Sequence, residues 1–175
     1  MQFRTLGRTG LKVSVVSYGS GGPSVLGQRT GLTTAEQDAL IRRVLDLGIN
    51  FIDTSEGYAQ SEEILGRALK GVPRDAYIMA TKWNPCVKEA PKTDPQDLVR
   101  SVERSLSRMG LEAIDIMQFH GVVPSIYRTV VDRFYGTMKR LREQGKVRFI
   151  GFSERFFSDP KHEAVVPALE QDGEL

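Results

Sequence analysis

The chain has one cysteine, Cys86, among its 175 residues. No internal disulfide can form, and a reducing, cytoplasmic setting is expected. Histidine is nearly as scarce. His120 and His162 stand 42 positions apart with no ligand cluster around either, which argues against a bound metal. No stretch approaches the ~20 consecutive apolar residues of a membrane span. The opening residues, MQFRTLGRTGLKVS, lack the apolar run of a signal peptide. Neither sign of charge is in excess, since 24 basic and 22 acidic residues leave a net charge of +2. Neither nucleic acid nor a membrane surface is therefore expected as a partner. Gly19-Ser20-Gly21-Gly22-Pro23 lacks the GxGxxG spacing and does not feed straight into a helix, so it is no Rossmann fingerprint.

What the chain does contain is the composition of an ordinary globular domain, with 40% hydrophobic and 26% charged residues. One domain over residues 1–175 is expected, opening with a hairpin over residues 1–13 around Gly7-Arg8-Thr9-Gly10. Val13 to Tyr18 reads as the first buried strand. Thr33 and Glu36 have capping-box spacing, and Leu40, Val44 and Leu47 mark the inward face of the helix that follows. Phe51-Ile52, Tyr77–Thr81, Ile114–Phe119 and Val147–Phe152 read as further strands. Between them lie helical stripes: Ile64, Leu65 and Ala68; Leu98, Val102, Leu106 and Met109, after an Asp94-Pro95 start; and Val130, Val131, Phe134, Met138 and Leu141. A last helix is expected over about residues 162–169. Strands alternating with helices imply a parallel sheet covered by helices.

The stretch NFIDTSEGYAQSEEILGRA, residues 50–68, draws the most attention. An apolar pair ends at Asp53, Tyr58 follows on the loop, and a helix begins near Ser61. The next two strands end at Lys82 and His120. In a parallel sheet these strand ends share one edge, where the chemistry of α/β proteins collects. Each residue alone has a structural explanation: an amide-binding Asp, a snorkelling Lys, a satisfied His, a packing Tyr. Together they suit proton transfer. An ammonium near a phenol favours phenolate, a carboxylate holds the ammonium, and an imidazole orients a substrate oxygen. A Schiff-base aldolase at Lys82 would leave Asp53 and Tyr58 without a role. Trp83 and Asn84 are open to two readings, pocket wall or core packing.

The pieces FRTLGRTGLKVS, INFIDTSEGYAQSEEILGRAL, IMATK, SLSRMGLEAIDIMQFH and REQGKVRFIGFSE, in that order, resemble the aldo/keto reductases over residues 1 to about 155. The resemblance implies a parallel (β/α)8 barrel that uses NADPH or NADH to reduce a small-molecule aldehyde or ketone. It makes Tyr58 the proton donor, Lys82 the group that lowers its pKa, Asp53 the partner of Lys82, and His120 the residue that orients the carbonyl. It also gives Gly21, Asp53, Ser153 and Glu154 as the cofactor-binding set, with Ser153 on the nicotinamide amide. The family usually has Asn where this chain has Glu154, and a carboxylate cannot donate the bond that an Asn amide can. A complete barrel takes about 250 residues. The expectation is thus an incomplete barrel of about five βα units after the hairpin, a truncated reductase. Such a chain would bind NADPH weakly or not at all and self-associate through open sheet edges. A non-catalytic assembly module is the alternative.

Overall fold

The computed structural model describes residues 1–87, 90–155 and 157–171. Strand β1 (Phe3–Thr5) pairs antiparallel with β2 (Lys12–Ser14). Five further strands form one parallel sheet in the order β3 (Tyr18–Gly19), β4 (Phe51–Asp53), β5 (Ile78–Trp83), β8 (Ile114–Val122) and β9 (Val147–Glu154). A small hairpin, β6 (Cys86–Val87) with β7 (Ala90–Pro91), interrupts the path from β5 to β8. Helices α1 (Thr34–Asp46), α2 (Ser61–Ala68) and α3 (Gln96–Met109) follow β3, β4 and β7. Between β8 and β9 run α4 (Pro124–Val130), a π-helical segment (Val131–Tyr135) and α5 (Gly136–Glu143). Helix α6 (Val165–Gln171) comes last. The sheet is five strands of a TIM-type barrel, incomplete as expected. Among the described residues, no helix is long and apolar enough to cross a membrane.

The two-residue period of the strands sorts their side chains into two cores. Ile52, Met79, Met117 and Ile150 face outward and pack with Ile41, Leu65, Val102 and Met138 from the helices. Ile78, Ala80 and Ile116 face the barrel interior with Phe51 and Phe149, and Leu11 and Val13 of the hairpin join them. The hairpin therefore floors the barrel at the N-terminal ends of the strands. Continuing the inward alternation brings Asp53, Lys82, Gln118, His120 and Ser153 to the opposite end. Gly66 lets α2 and α3 meet closely, because a Cβ there would stand 2.3 Å from the Arg108 carbonyl oxygen.

Several expectations need correction. The first barrel strand is not Val13–Tyr18. Ser14 donates its hydroxyl to the Val16 carbonyl (2.6 Å), its backbone N–H goes to Asn50 Oδ1 (2.7 Å), and the chain turns. Val13 stays with the hairpin, Val15 and Val16 are 57% and 52% exposed, and only Tyr18–Gly19 pairs with β4. The Thr33–Glu36 capping box is present, but the buried face of α1 is Gln37, Ile41 and Val44, and Leu47 is 50% exposed. The last helix starts at Val165, not near His162. Trp83 is core, fully buried against Phe119 and Phe134. Burying such a ring, about 200 Å², contributes about 5 kcal/mol before entropic costs.

Candidate active site

Lys82 and His120 lie inside their strands, since β5 runs to Trp83 and β8 to Val122 with an irregularity between Phe119 and Val122. Asp53 is the last residue of β4, and the chain after it stays tied to the sheet. Thr54 N–H donates to the Ala80 carbonyl (2.8 Å), and Glu56 N–H to that of Lys82 (3.3 Å). Ser20 joins in by donating its hydroxyl to Thr54 Oγ1 (2.8 Å). Gln28, from the glycine-rich loop, braces the next turn by donating to the Tyr58 carbonyl (3.4 Å) and accepting from Gln60 N–H (3.0 Å).

Lys82 is buried, and its ammonium donates to Asp53 Oδ1 and to the Thr54 carbonyl (2.8 Å for the latter). Nζ also stands 5.3 Å from the centre of the Tyr58 ring. The Tyr58 and His120 rings meet edge-on, 5.7 Å apart at 85°. All four residues expected from the sequence therefore converge. Gly21 lies under the phenol, where a Cβ would come within 2.6 Å of ring carbons. Any larger residue there would push the ring out of place.

The electrostatics differ from the expectation at one point. The Tyr58 phenol is raised above 10, first by burial and then by the Asp53 charge, not lowered by Lys82. The Asp53 charge thus acts on the phenol in the same direction as burial. His120 is lowered from 6.5 to about 4, chiefly by burial, then by the charges of Lys82 and Arg155, against a weaker pull from Glu56. At neutral pH the site therefore presents a protonated phenol and a neutral imidazole.

Next to His120 is a small cleft of about 110 Å³ lined by Asn84, His120, Gly121, Ser153, Glu154 and Arg155. Ser153 Oγ accepts from Gly121 N–H at 3.1 Å. Glu154 pairs with His162 through Oε1, while its buried Oε2 has no hydrogen-bond partner among the described residues. A far larger cleft, about 1090 Å³, opens at the other end of the sheet beside the hairpin, around Arg74, Asp115 and Arg148. It is remote from Tyr58 and His120.

The model of the aldo/keto reductase family fits residues 18–162. The chain belongs to the aldo/keto reductase family. It is 38% identical over 159 residues to the L-galactose dehydrogenase of Arabidopsis thaliana, covering 87% of this chain and 48% of that protein. It is 34% identical over 164 residues to the aldo-keto reductase YhdN of Bacillus subtilis, covering 87% of this chain and 47% of that one. Among solved structures it is similar to the holo form of aldo-keto reductase AKR11C1 from Bacillus halodurans. That match has a TM-score of 0.72 and 30% identity over 88% of this chain and 50% of that one. The chain spans about half the length of the curated relatives it matches.

Reading the sequence alone missed several residues that contact this cluster. Ser55 is buried against His120, and its position between Asp53 and Tyr58 was the available signal. Arg155, which acts on His120, directly follows the Ser153-Glu154 pair. Gln28 carried no signal, because it reaches Tyr58 only through the folded loop.

Proposed function

We propose that this chain carries the proton-transfer site of a nicotinamide-dependent carbonyl reductase. The observation behind this reading is the convergence of Tyr58, His120 and the Lys82–Asp53 pair, with both the imidazole and the ammonium within 6 Å of the phenol ring centre. Tyr58 donates its proton to the carbonyl oxygen as negative charge develops there. The phenolate left behind faces the Lys82 ammonium, 5.3 Å from the ring centre, whose charge offsets part of the cost set by burial and by Asp53. Asp53 fixes that ammonium. His120, neutral at physiological pH, offers a ring N–H to the same oxygen.

The residues present fit a nicotinamide carboxamide. That group has an NH₂ to donate and a carbonyl to accept. The unpartnered Glu154 Oε2 can take the NH₂, and the Ser153 hydroxyl can donate to the carbonyl. Glu154 is thus an acceptor in place of a donor, and compatible with the same ligand. When bound, the reduced nicotinamide of NADPH or NADH supplies a hydride to the carbonyl carbon. We read Gly21 as the seat of the Tyr58 ring, and its contact with cofactor as secondary.

Fluorescence titration with NADPH and NADH, and consumption of either with small aldehydes, tests this reading. L-galactose oxidation should be assayed in reverse, given the relative of that name. Turnover that is lost in Tyr58→Phe supports the reading. Turnover indifferent to Tyr58 sinks it. The open edges favour one further reading, self-association. Among the described residues β3 and β9 each have a single neighbour, and β9 leaves an edge eight residues long. Light scattering behind a sizing column should show assembly, and a monodisperse monomer would refute it.

A further inference from the structure

The loop serine between Asp53 and Tyr58 has more contacts than a turn needs. Ser55 is 1% exposed, so its hydroxyl must find its partners inside the protein. Its Oγ accepts from Gly57 N–H at 3.2 Å, which ties down the turn leading to Tyr58. Two acceptors compete for its single proton: the Lys82 carbonyl at 3.3 Å and His120 Nδ1 at 3.1 Å.

We propose that Ser55 is a positioning residue whose hydroxyl donates to His120 Nδ1 and so holds the imidazole in the tautomer with its proton on Nε2. The catalytic relevance rests on the reading of His120 as the residue that orients the carbonyl. Two observations favour this direction of the bond. First, the Lys82 carbonyl already receives Glu56 N–H at 3.3 Å, so it stays satisfied without the serine. Nδ1 is the nearer acceptor, and among the described residues Ser55 is its hydrogen-bond partner. Second, the imidazole is held neutral by burial and by the neighbouring cations Lys82 and Arg155, so it has one ring proton to place. If that proton sat on Nδ1, Nε2 would turn a lone pair toward the cleft. Two acceptors, Nε2 and a carbonyl oxygen, would then face each other beside the phenol. With the proton on Nε2, both the imidazole and Tyr58 donate toward one oxygen, the arrangement that a developing oxyanion requires.

A purely structural role for Ser55 makes a different prediction. The bonds to Gly57 and Lys82 alone would hold the turn and leave the tautomer unspecified. Two-bond proton–nitrogen correlation spectra of the histidine-labelled chain at neutral pH separate the cases. His120→Gln and His162→Gln assign the two imidazoles. In the unmodified chain, His120 Nδ1 should resonate as an unprotonated nitrogen and Nε2 as a protonated one. Ser55→Ala should move Nδ1 toward the protonated range as a tautomer mixture forms, and Ser55→Thr should restore the single tautomer. If Ser55→Ala does not fold by circular dichroism, Ser55→Cys, with a weaker donor, takes its place and should give the same drift. A protonated Nδ1 in the unmodified chain would overturn the proposal. So would an unchanged Nε2–H pattern in the folded Ala or Cys variant. The spectra need neither cofactor nor carbonyl, so they stand or fall separately from the reductase assay.

Discussion

The two ends of the barrel hold nearly the same groups and use them differently. At the hairpin end, Asp115 is 1% exposed and spends both carboxylate oxygens inside the protein. It takes Arg74 and Met79 N–H (2.8 Å) on Oδ2 and Arg148 (2.6 Å) on Oδ1. Tyr77 lies beneath the Arg74 guanidinium, 4.9 Å from ring centre to Cζ. At the other end are again a carboxylate, a cation and a tyrosine: Asp53, Lys82 and Tyr58. There the Asp53 side chain is 31% exposed and the cation is the buried partner, with a side chain 8% exposed. Beside them are a neutral imidazole and the unpartnered Glu154 Oε2. In the first set the buried carboxylate has both oxygens taken, so it holds strands together. The second leaves donors and acceptors unspent, so it can hold a reacting molecule. A list of residue types would not have separated them; hydrogen-bond saturation does.

That contrast predicts opposite consequences for two substitutions. Under the proposed reductase reading, Tyr58→Phe should lower turnover of NADPH and an aldehyde by about 10²–10⁴-fold, the usual share of a general acid. Its urea midpoint should hardly move. Asp115→Asn should behave the other way. It leaves two guanidinium groups without their shared counter-charge, and should cost about 2 kcal/mol of stability. That is below the ~3–5 kcal/mol of a fully buried pair, because Arg74 and Arg148 are 41% and 51% exposed and water compensates in part. Turnover per folded molecule should stay the same. If Asp115→Asn impaired chemistry as much as Tyr58→Phe, the division between the two ends would fail.

The glycine beneath the phenol sharpens the comparison at a smaller scale. Gly21→Ala puts a methyl within 2.6 Å of the Tyr58 ring, so the ring must shift. A displacement approaching 1 Å can cost up to about 10²-fold in rate. A loss in kcat of about tenfold, with stability unchanged, is expected from steady-state kinetics. An unaltered kcat would mean that the ring slides aside without leaving the reactive geometry.

Most of this architecture was legible in the sequence because it is periodic. The stripe Leu98, Val102, Leu106 and Met109 is buried throughout, and so are Val130, Phe134, Met138 and Leu141. The four polar residues at one sheet edge were legible too, because parallel strands put their C-terminal ends together. What escaped depends on single bonds rather than on period. The Ser14 hydroxyl ends the hairpin strand at a point where Val13, Val15 and Val16 read as continuous β. The inward face of α1 is turned by one residue because Gln37 is buried and hydrogen-bonds the Leu26 carbonyl (3.3 Å). The small hairpin after Pro85 has no hydrophobic period of its own to read, and the π-helical turn within the stripe is not distinguished by period from an α-helix. The direction of the Tyr58 shift was missed because it is set first by burial of the phenol and then by the Asp53 charge. Spacing along the chain shows that a cation is near, and only the fold shows how far the phenol is buried.

The smallest effect concerns pH, and it again separates the two ends. Unfolded, His120 takes a proton near its ordinary 6.5, whereas folded it does so only near about 4. Between these values the unfolded chain binds more protons, so stability falls as the pH drops through this window and levels off, for this residue, below it. Well above 6.5 both states are neutral and His120 contributes no slope. His120→Gln keeps polar atoms in the position but cannot be protonated in this range. Urea midpoints measured from pH 7 down to pH 4 should therefore fall less steeply in His120→Gln than in the unmodified chain, and the two should become parallel only well above pH 6.5. Asp115→Asn should leave the His120 contribution to that slope in place. It removes a charge at the far end and leaves His120 as buried as before. Equal slopes for His120→Gln and the unmodified chain would mean that the imidazole accepts its proton as readily folded as unfolded, and that burial and the neighbouring Lys82 and Arg155 do not keep it neutral.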